Sequence, residues 1–411
     1  MYKPCEGLGA KHPVCPHPCR LDPKHKMNKV LFHVGLTALL LVSCTRPPKD
    51  NLGTYENNTI FIDTNSNIAL DTNQYEVVDV IPLGVPKNLS PLYSSQLRWV
   101  DDRIYIMDSE YNKSVLVFDD QGNYMHKLGA KGHARNEYID SPTYFMVGKD
   151  GAVHVYERNS IKVIKFDSEG NVVDVFGFRT VVPSGIELTD DGNYLCSFDR
   201  SCDGDATKLS IISKEGEIIR KFMYMPEDET LASIGNGLFK ENDIAYIPLL
   251  SDSIIVISSD TVNSVWKIDF GDKFNPEEIR KKCLREATYL PLYEYEDGAQ
   301  FIDGVEMSDS LLHISYAYNL VRSHFVVNRN NKKTYNTLTG TFFNGITLKS
   351  DFTIVGNKLV YYITDDDVEL VKTNMDNPEH WQQSRKCTHP VILDIIDKKI
   401  PTPVLISIRL K

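Results

Sequence analysis

The sequence predicts an all-β fold, a six-bladed β-propeller whose ring is closed by pairing of the N- and C-terminal strands. The first observation is a repeat, because Val100–Gly129 and Val147–Gly177 each contain three short alternating strands separated by polar turns. The second is a turn phrase, Phe-Asp-x-x-Gly from Phe118, which returns 48 residues later from Phe166 and in altered form 46 residues further on from Ile212. A period of this length is typical of propeller blades.

Alignment of the repeats predicts six blades. In order, they are Val100–Gly129, Val147–Gly177, Thr189–Met223, Asn242–Asp269, Gly304–Tyr335 and Phe342–Lys372. The first convincing strand is Glu76–Leu83 and the last is Pro403–Leu410, and we expect both to complete the sixth blade. Pairing them joins the two ends of the ring and hides two sheet edges.

The period breaks at about residues 272–300, between the fourth and fifth blades. Asn275 is a good helix cap, Pro276 suits the first helical position, and Ile279 and Cys283 fall on one face of the helix that follows. The break predicts a short helical insertion on a rim of the propeller, where binding loops commonly lie.

The N-terminal 43 residues have the features of a leader. Met27 begins a stretch in which a short positive segment precedes thirteen uncharged residues, Val30–Val42. The next residues, Leu41-Val42-Ser43-Cys44, resemble the bacterial lipobox, in which the cysteine is acylated and becomes the new N-terminus. The alternative is a buried cysteine that ends an apolar core helix, although such a helix is normally amphipathic. The sequence thus predicts a leader and signal peptide in residues 1–43, with translation starting at Met27, and a lipid anchor on Cys44.

Residues 1–26 contain a separate cysteine and histidine cluster: Cys5, His12, Cys15, His17 and Cys19. These residue types at short spacing suit tetrahedral zinc. The competing interpretation is a leader that is discarded or not translated, and we favour it because Met27 opens a well-formed signal sequence. No metal site is therefore predicted here.

Residues 44–73 are rich in Asn, Thr, Pro and Asp and predict a flexible tether, followed by the propeller in residues 74–411. Thr45 after the acylated cysteine is typical of lipoproteins that move on to the outer membrane. We therefore expect a cell-envelope protein, with the periplasmic and the surface-facing orientations both open.

The charge balance argues against nucleic acid as a partner. The whole chain has a net charge of −11, and without residues 1–43 it has 39 basic and 54 acidic side chains, a net charge of −15. Such a field repels a phosphate backbone, and no cluster of Lys and Arg overrides it.

The repeats resemble a family of bacterial six-bladed β-propeller lipoproteins of the Bacteroidetes, similar in shape to NHL and TolB propellers. The resemblance rests on Arg103–Asp108 (RIYIMD), on Val117–Gly129 and on a loop element that usually reads Gly-x-Gly-Pro-Gly-Glu-Tyr. In this chain that element is Gly129–Tyr138, which keeps Gly132, Glu137 and Tyr138 but lacks the inner Gly-Pro-Gly. The resemblance implies the fold and an envelope location but no activity.

The same loop is a candidate binding site because it gathers an imidazole, a guanidinium, a carboxylate and a phenol in six residues. These side chains belong to His133, Arg135, Glu137 and Tyr138. They suit a polar ligand such as a sugar, or acid/base chemistry. The alternative, which we favour, is that Glu137 and Tyr138 tie one blade to the next by hydrogen bonds.

Asp108 and Glu157 occupy equivalent strand ends in the first two blades, and Ser197 occupies that place in the third. Equivalent residues could converge on the central channel and attract a cation such as calcium. The alternative is that they are turn carboxylates that accept backbone N–H groups. Two acidic clusters, Asp199 with Asp203 and Asp205, and Asp365–Asp367, suggest calcium in the same way, but neither has the EF-hand spacing.

Four cysteines remain after the lipidated one: Cys196, Cys202, Cys283 and Cys387. Cys196 and Cys202 are close enough in sequence to bridge a hairpin in an oxidising compartment, but the sequence does not decide whether they do. Known motifs of nucleophilic, zinc-dependent and nucleotide-binding enzymes are absent from the sequence.

We therefore predict a membrane-anchored extracytoplasmic propeller that acts as a binding or scaffolding module for a glycan or a protein. The alternative is a propeller hydrolase or lyase that acts on a glycan or lactone, with carboxylates and His133 or His154 around the channel and with a divalent cation as a candidate cofactor.

Overall fold

The computed structural model describes residues 53–56, 58–64, 73–90, 92–178, 182–198, 207–224, 238–240, 243–248, 250–258, 261–294, 298–337, 352–376 and 390–411. The leader, the candidate lipidation site Cys44, the acidic residues Asp199, Asp203 and Asp205, and the cysteines Cys202 and Cys387 lie outside the described residues.

Strands dominate the described residues. In chain order they are β1 (Gly53–Glu56), β2 (Thr59–Ile62), β3 (Tyr75–Pro82), β4 (Gln96–Val100), β5 (Arg103–Asp108), β6 (Ser114–Asp119), β7 (Tyr124–Leu128), β8 (Tyr144–Val147), β9 (Val153–Glu157), β10 (Lys162–Phe166), β11 (Val172–Gly177), β12 (Gly185–Leu188), β13 (Tyr194–Ser197), β14 (Thr207–Ile212), β15 (Ile218–Tyr224), β16 (Leu238–Lys240), β17 (Ile244–Tyr246), β18 (Ser253–Ser258), β19 (Thr261–Asp269), β20 (Ala299–Met307), β21 (Leu311–Tyr318), β22 (Val321–Asn328), β23 (Thr334–Thr337), β24 (Phe352–Val355), β25 (Lys358–Ile363) and β26 (Val404–Leu410). The helices are α1 (Pro276–Glu286), α2 (Asp365–Asp376) and α3 (Pro390–Asp397), with 3-10 turns at Gly271–Lys273 and Leu290–Glu294.

These strands form six sheets, which confirms the six-bladed propeller. Blade 1 consists of β4–β7, blade 2 of β8–β11, blade 3 of β12–β15 and blade 5 of β20–β23, each a four-stranded antiparallel sheet. Blade 4 contains β16–β19, with β2 and β1 added outside β19. The first strands of the blades contact one another in sequence around the ring, and β24 of blade 6 contacts β4 of blade 1.

Blade 6 closes the ring. Its strand order is β24-β25-β26-β3, so the last strand of the chain lies between β25 and the early strand β3. The antiparallel register of β26 and β3 runs from Val404 opposite Pro82 to Leu410 opposite Tyr75. The predicted closure by the terminal strands is therefore confirmed, and it removes the edges at which an open ring would begin and end.

The repeated turn phrase has a common geometry. Asp119 Oδ1 accepts hydrogen bonds from the backbone N–H groups of Gln121 and Asn123, at 3.0 and 2.8 Å. Asp167 repeats the arrangement in blade 2, and the glycines of the two turns, Gly122 and Gly170, have φ of 83° and 87°. Glycine adopts this conformation at little cost, so the phrase recurs because the same turn recurs.

The hydrophobic core is divided among the junctions between neighbouring blades. Clusters of buried side chains lie at each of the six junctions, and a smaller cluster lies under α1. Tyr138, Tyr156, Tyr194, Tyr316 and Tyr361 are among the largest fully buried side chains. Because each sheet is buried on both faces, most residues of the middle strands are apolar, and several of their polar side chains are buried as well.

The predicted insertion is confirmed as a helix. Helix α1 begins after Asn275, whose side chain accepts a hydrogen bond from the backbone N–H of Glu278, and Pro276 is its first residue. Ile279 and Cys283 are its buried residues, so they anchor the insertion to the propeller. None of the helices in the described part of the chain is long and apolar enough to cross a bilayer.

Two parts of the predicted organisation need correction. Residues 53–56 and 59–62, which the composition places in a flexible tether, are strands β1 and β2 on blade 4, because Ile60 and Ile62 are fully buried there. The predicted sixth blade extends to Lys372, whereas residues from Asp365 onward are helix α2. The three aspartates at its start suit the positive end of a helix.

Candidate functional site

The two faces of the propeller differ in the length of their connections. In an antiparallel four-stranded blade, the turns after the first and third strands lie on one face, which we call the turn face. The connections after the second and fourth strands lie on the other, which we call the loop face. Short turns such as 101–102 and 356–357 lie on the turn face, whereas 83–95, 129–143, the α1 insertion and the segment with α2 and α3 are loop-face connections. The additions to the basic fold thus extend one face.

Asp108 organises the loop face of blade 1. Its carboxylate is fully buried at the end of β5. One oxygen accepts hydrogen bonds from the backbone N–H groups of Glu110 and Tyr111, at 3.0 and 2.9 Å. The other accepts from the backbone N–H of Tyr93 at 3.2 Å and from the side chain of Asn112 at 2.7 Å. A single carboxylate therefore fixes two loops that are distant in sequence.

Further contacts tie these loops together. Asn112 accepts a hydrogen bond from the backbone N–H of Ser90 at 3.1 Å and donates to its carbonyl at 3.3 Å. Lys113 forms an ion pair with Asp140 at 3.3 Å, which joins the turn of blade 1 to the connection 129–143 and lowers the pKa of Asp140. Three loop-face segments are thus held in one arrangement.

The residues on this framework are exposed and largely aromatic. Tyr93 is 50% exposed, Tyr111 is 64% exposed and Ile139 is 46% exposed. Large side chains at such exposure contribute little to the hydrophobic core, yet hydrogen bonds hold their backbone in fixed positions. We call Tyr93, Tyr111 and Ile139, with the polar residues Asn112 and Lys113, the blade 1 platform.

Glu137 and Tyr138, two of the predicted site residues, hold the connection 129–143 in shape. The carboxylate of Glu137 accepts a hydrogen bond from the backbone N–H of Ala134 at 2.9 Å, and its carbonyl accepts from Lys162. Tyr138 is fully buried in the core between blades 1 and 2, and its hydroxyl donates to the carbonyl of Leu128 at 3.0 Å. Burial raises the pKa of Tyr138, with the charge of Glu157 as a smaller cause. These contacts favour the structural interpretation, in which the pair ties two blades.

Arg135 and His133, from the same loop, are exposed. Arg135 donates a hydrogen bond to the carbonyl of Val175 in β11 at 2.6 Å, so it joins the loop to the outer strand of blade 2. The four predicted residues of this loop therefore have different surroundings, with Tyr138 in the core and His133 in solvent.

Glu157 lies at the end of β9 in the place that Asp108 has in β5, and it is also fully buried. One oxygen accepts hydrogen bonds from Ser160 and from the backbone N–H of Ile139, the latter at 3.4 Å. The other oxygen is buried without a hydrogen-bond partner among the described residues. Because β5 and β9 are second strands of their blades, these carboxylates do not lie on the strands that line the ring axis.

His154 is buried between blades 2 and 3. Its Nδ1 lies 2.7 Å from the hydroxyl of Tyr194. Burial lowers the pKa of His154 to about 4, and the charge of Lys165 adds to the effect. The imidazole is therefore neutral at pH 7 and serves as an interblade contact away from the inner strands.

The described residues contain no group of three or more His, Cys, Asp or Glu side chains placed to hold a metal ion. In the Asp365–Asp367 cluster, Asp367 accepts hydrogen bonds from the backbone and hydroxyl of Thr364 at the start of α2, at 2.9 and 2.7 Å. Cys196 and Cys283 are buried free thiols, and burial raises the pKa of each. The part of the chain that is described thus gives calcium no donor set.

An ion pair connects inner strands across the ring. Arg98 of β4 in blade 1 contacts Glu187 of β12 in blade 3 at 2.5 Å, and the carboxylate is only 1% exposed. The guanidinium also lies 5.8 Å from the centre of the Phe145 ring in blade 2. Blades 1 and 3 are not neighbours, so the pair bridges over the inner strand of blade 2.

A second group of charges continues from this pair at the turn face. Lys240, the last residue of β16, donates a hydrogen bond to the carbonyl of Leu188 at 2.6 Å and forms an ion pair with Asp190 at 2.9 Å. Lys149 reaches the other oxygen of Asp190 at 2.9 Å. Ion pairs and hydrogen bonds of charged side chains thereby link the inner strands and turns of blades 1 to 4.

The sequence did not identify the platform tyrosines or the Arg98–Glu187 ion pair, which we call the axial pair because it joins strands that line the ring axis. A signal for Tyr111 was present, because an aromatic residue in the polar turn Ser109–Lys113 has no core position to occupy. Arg98 stands out as a charge within a five-residue strand. Its partner Glu187 has no local signal, since their contact depends on how the blades are arranged around the ring.

Comparison with known proteins gives the family and the fold. The family described as a domain of unknown function, DUF4934, matches residues 57–388. A candidate exported protein from Bacteroides fragilis NCTC 9343 has a similar structure, with a TM-score of 0.69 and 15% identity over 86% of this chain and 99% of that one. No curated protein matches the sequence.

Two more distant structures are also similar. A DUF4221 family member from Bacteroides vulgatus ATCC 8482 has a TM-score of 0.49 and 10% identity, over 83% of this chain and 100% of that one. A streptogramin B lyase has a TM-score of 0.36 and 9% identity, over 77% and 78% of the two chains. Likeness at these levels carries no argument about activity. On its family match, which spans most of the propeller, the chain belongs to the DUF4934 family.

Proposed function

We propose that this protein is a lipid-anchored binding module of the cell envelope that takes a glycan on the blade 1 platform of its loop face. The observation that carries the proposal is the pair of exposed tyrosines, Tyr93 and Tyr111, whose backbone N–H groups are held by one buried carboxylate.

The platform is preorganised. Fixing a loop before binding reduces the conformational entropy that a ligand must otherwise offset. Asp108, the Asn112 contacts with Ser90 and the Lys113–Asp140 ion pair fix the three loops through contacts within the chain itself. Exposed aromatic side chains on fixed loops contribute large contact areas at low entropic cost, as they do in paratopes.

The chemistry of the platform suits a sugar. One face of a pyranose ring carries C–H groups that pack on an aromatic ring, and its hydroxyls need hydrogen-bond donors and acceptors at the edge. Tyrosine offers both an apolar face and a hydroxyl. Lys113 and Asp140 belong to the same loops as Tyr111 and Ile139 and provide ammonium and carboxylate groups. The amide of Asn112 is used within the framework, where it contacts Ser90 and Asp108. A neutral or basic glycan also suits the acidic net charge of the domain.

The location is the second part of the proposal. The lipobox-like Leu41-Val42-Ser43-Cys44 and the apolar segment before it support export and acylation of Cys44. The Bacteroides fragilis neighbour is itself described as a candidate exported protein. We place the protein at the outer membrane as a lipoprotein.

A thermal-shift screen of residues 51–411 against oligosaccharides and cell-wall fragments tests the ligand class. A ligand at about one hundred times its Kd adds about 2.7 kcal/mol to the free energy of unfolding. We expect a stabilising glycan, and we expect Tyr111→Ala to reduce its affinity about 30-fold, as loss of an anchor worth about 2 kcal/mol would.

Tyr224→Ala is the matched control, because Tyr224 is 67% exposed on the outer strand of blade 3 and Tyr111 is 64% exposed. The control variant should bind as the wild type does. A complete panel without any shift, or equal losses in both variants, would contradict the glycan platform. The anchor is tested separately, since Cys44→Ser should abolish labelling with radioactive palmitate.

A further inference from the structure

We propose that the hairpin of β1 and β2 on blade 4, which we call the strap, sets the blade 4 side of the loop face against the lipid bilayer. The inference rests on the proposed acylation of Cys44 and goes beyond it, because acylation alone leaves the orientation of the propeller open.

The hairpin is firmly seated. Strand β2 pairs in parallel with β19, from Thr59 opposite Lys267 to Phe61 opposite Asp269, and β1 pairs with β2 on its outer side. Ile60 and Ile62 are fully buried in the core between blades 4 and 5, with Trp266 and Ile268. Burial of two isoleucines contributes at most about 3–6 kcal/mol, enough to hold the strap in place.

The register fixes where the chain leaves the propeller. Gly53, the first residue of β1, lies opposite Ile62, the last residue of β2. That end of the hairpin is beside Asp269, the last residue of β19, and Phe61 lies against Gly271 at the start of the α1 insertion. Because β19 ends at the loop face, the strap leaves the domain at the loop face, next to this insertion.

The chain from Cys44 to this point is short. Eight residues, Thr45–Leu52, separate the acylated cysteine from β1. Fully extended, they span about 30 Å, whereas a free tether reaching to Asn73 would span about 100 Å. The seated hairpin therefore keeps the blade 4 side of the loop face within about 30 Å of the headgroups.

This arrangement has a consequence for binding. Blade 1 is three blades away from blade 4 in a ring of six, so the blade 1 platform lies across the axis from the strap. The side of the loop face nearest the anchor is the insertion side, and the platform tyrosines lie on the same face at the far side of the ring. One seated hairpin therefore places the insertion next to the anchor and the platform farther from it, across the ring.

Site-specific fluorescence quenching tests the orientation. Arg285→Cys places a probe on α1, and His133→Cys places one on the loop face beyond blade 1; both residues are exposed. Cys202 and Cys387 are replaced by Ser, and the buried Cys196 and Cys283 are kept. The full lipidated protein is reconstituted in phosphatidylethanolamine and phosphatidylglycerol vesicles that carry a headgroup quencher. We expect at least twofold stronger quenching at position 285 than at position 133.

Two variants test the role of the strap. Ile60→Asp should unseat β2 and make quenching at the two positions equal. Because this change lies in a core, a second variant inserts twenty Gly and Ser residues between Asn51 and Leu52, which leaves the hairpin seated and lengthens only the tether. It should also remove the difference.

The outcomes separate the two proposals. A protein without palmitate on Cys44, which does not float with vesicles, would overturn the anchor and the orientation together. A protein that is acylated and floats, but shows equal quenching at both probes or stronger quenching at position 133, would overturn the orientation alone.

Discussion

Loss of the Glu187 carboxylate should lower the free energy of unfolding, because this side chain links inner strands of blades 1 and 3. Glu187 is 1% exposed and Arg98 is 15% exposed, so Glu187→Gln leaves a largely buried guanidinium without its counter-charge. Removal of one partner of a buried pair costs about 3–5 kcal/mol, and the residual exposure of Arg98 places this case near 3 kcal/mol.

That free energy converts into a measurable shift. Unfolding entropy of about 2.1 cal/mol/K per residue gives about 0.7 kcal/mol/K for a propeller of this size, so Tm should fall by about 4 °C. Differential scanning calorimetry and urea unfolding at pH 7 would measure the change. The double variant Arg98→Met with Glu187→Gln should recover most of the loss, because an apolar replacement leaves no unpaired charge.

An exposed pair in the same chain is the control. Glu277 contacts Lys281 on α1 at 2.6 Å, and the two side chains are 77% and 72% exposed. Glu277→Gln should leave the Tm unchanged within the error of the measurement, since an exposed helical pair contributes little. Equal effects of Glu187→Gln and Glu277→Gln, or no recovery in the double variant, would refute the account of the axial pair.

Three further predictions concern the loops, the pH dependence and the ring closure. Asp108→Asn should lower the free energy of unfolding by about 2–3 kcal/mol, because an amide cannot accept every N–H group that the carboxylate accepts. The same change should speed amide exchange at Tyr111. Asp102→Asn, on an 83% exposed side chain, should do neither. Since burial lowers the pKa of His154 from about 6.5 to about 4, the unfolded chain binds this proton first on acidification, so stability is complete above about pH 6.5 and falls by up to about 3 kcal/mol toward pH 4. In urea titrations His154→Gln should reduce that slope without removing it, because burial also lowers the pKa values of His313 and His324. The same change at the exposed His133 should leave the slope intact, and an unchanged slope in the His154 variant would count against the assignment. Deletion of Pro403–Lys411 removes the strand between β25 and β3 and should abolish cooperative melting, so a truncated protein that melts near the wild-type temperature would disprove closure by the terminal strands.

The blades were predictable because their signals are local. The turn phrase at Asp119 and Asp167 encodes its own hydrogen bonds, and alternating apolar residues between the turns encode the strands. The helical insertion was also predictable, since the cap Asn275 and Pro276 act within one helical turn. Closure of the ring followed from two unpaired strand patterns at opposite ends of the chain.

The parts that were missed depend on distant contacts. Strand β2 is a four-residue stretch in a polar segment, and it forms because β19 offers an edge and the core offers room for Ile60 and Ile62. The equivalence of Asp108 and Glu157 was visible in sequence, but their surroundings were not. Asp108 is surrounded by N–H donors from two loops, whereas one oxygen of Glu157 has no partner among the described residues.

Hydrogen exchange of the domain, with and without the glycan that gives the largest thermal shift, would show which face of the propeller binds the ligand. If the loop face of blade 1 binds the ligand, protection should increase in segments 83–95 and 109–113 and stay unchanged in the turn-face segments 101–102, 148–152 and 189–193. Protection confined to those turn-face segments would contradict the assignment of the binding face.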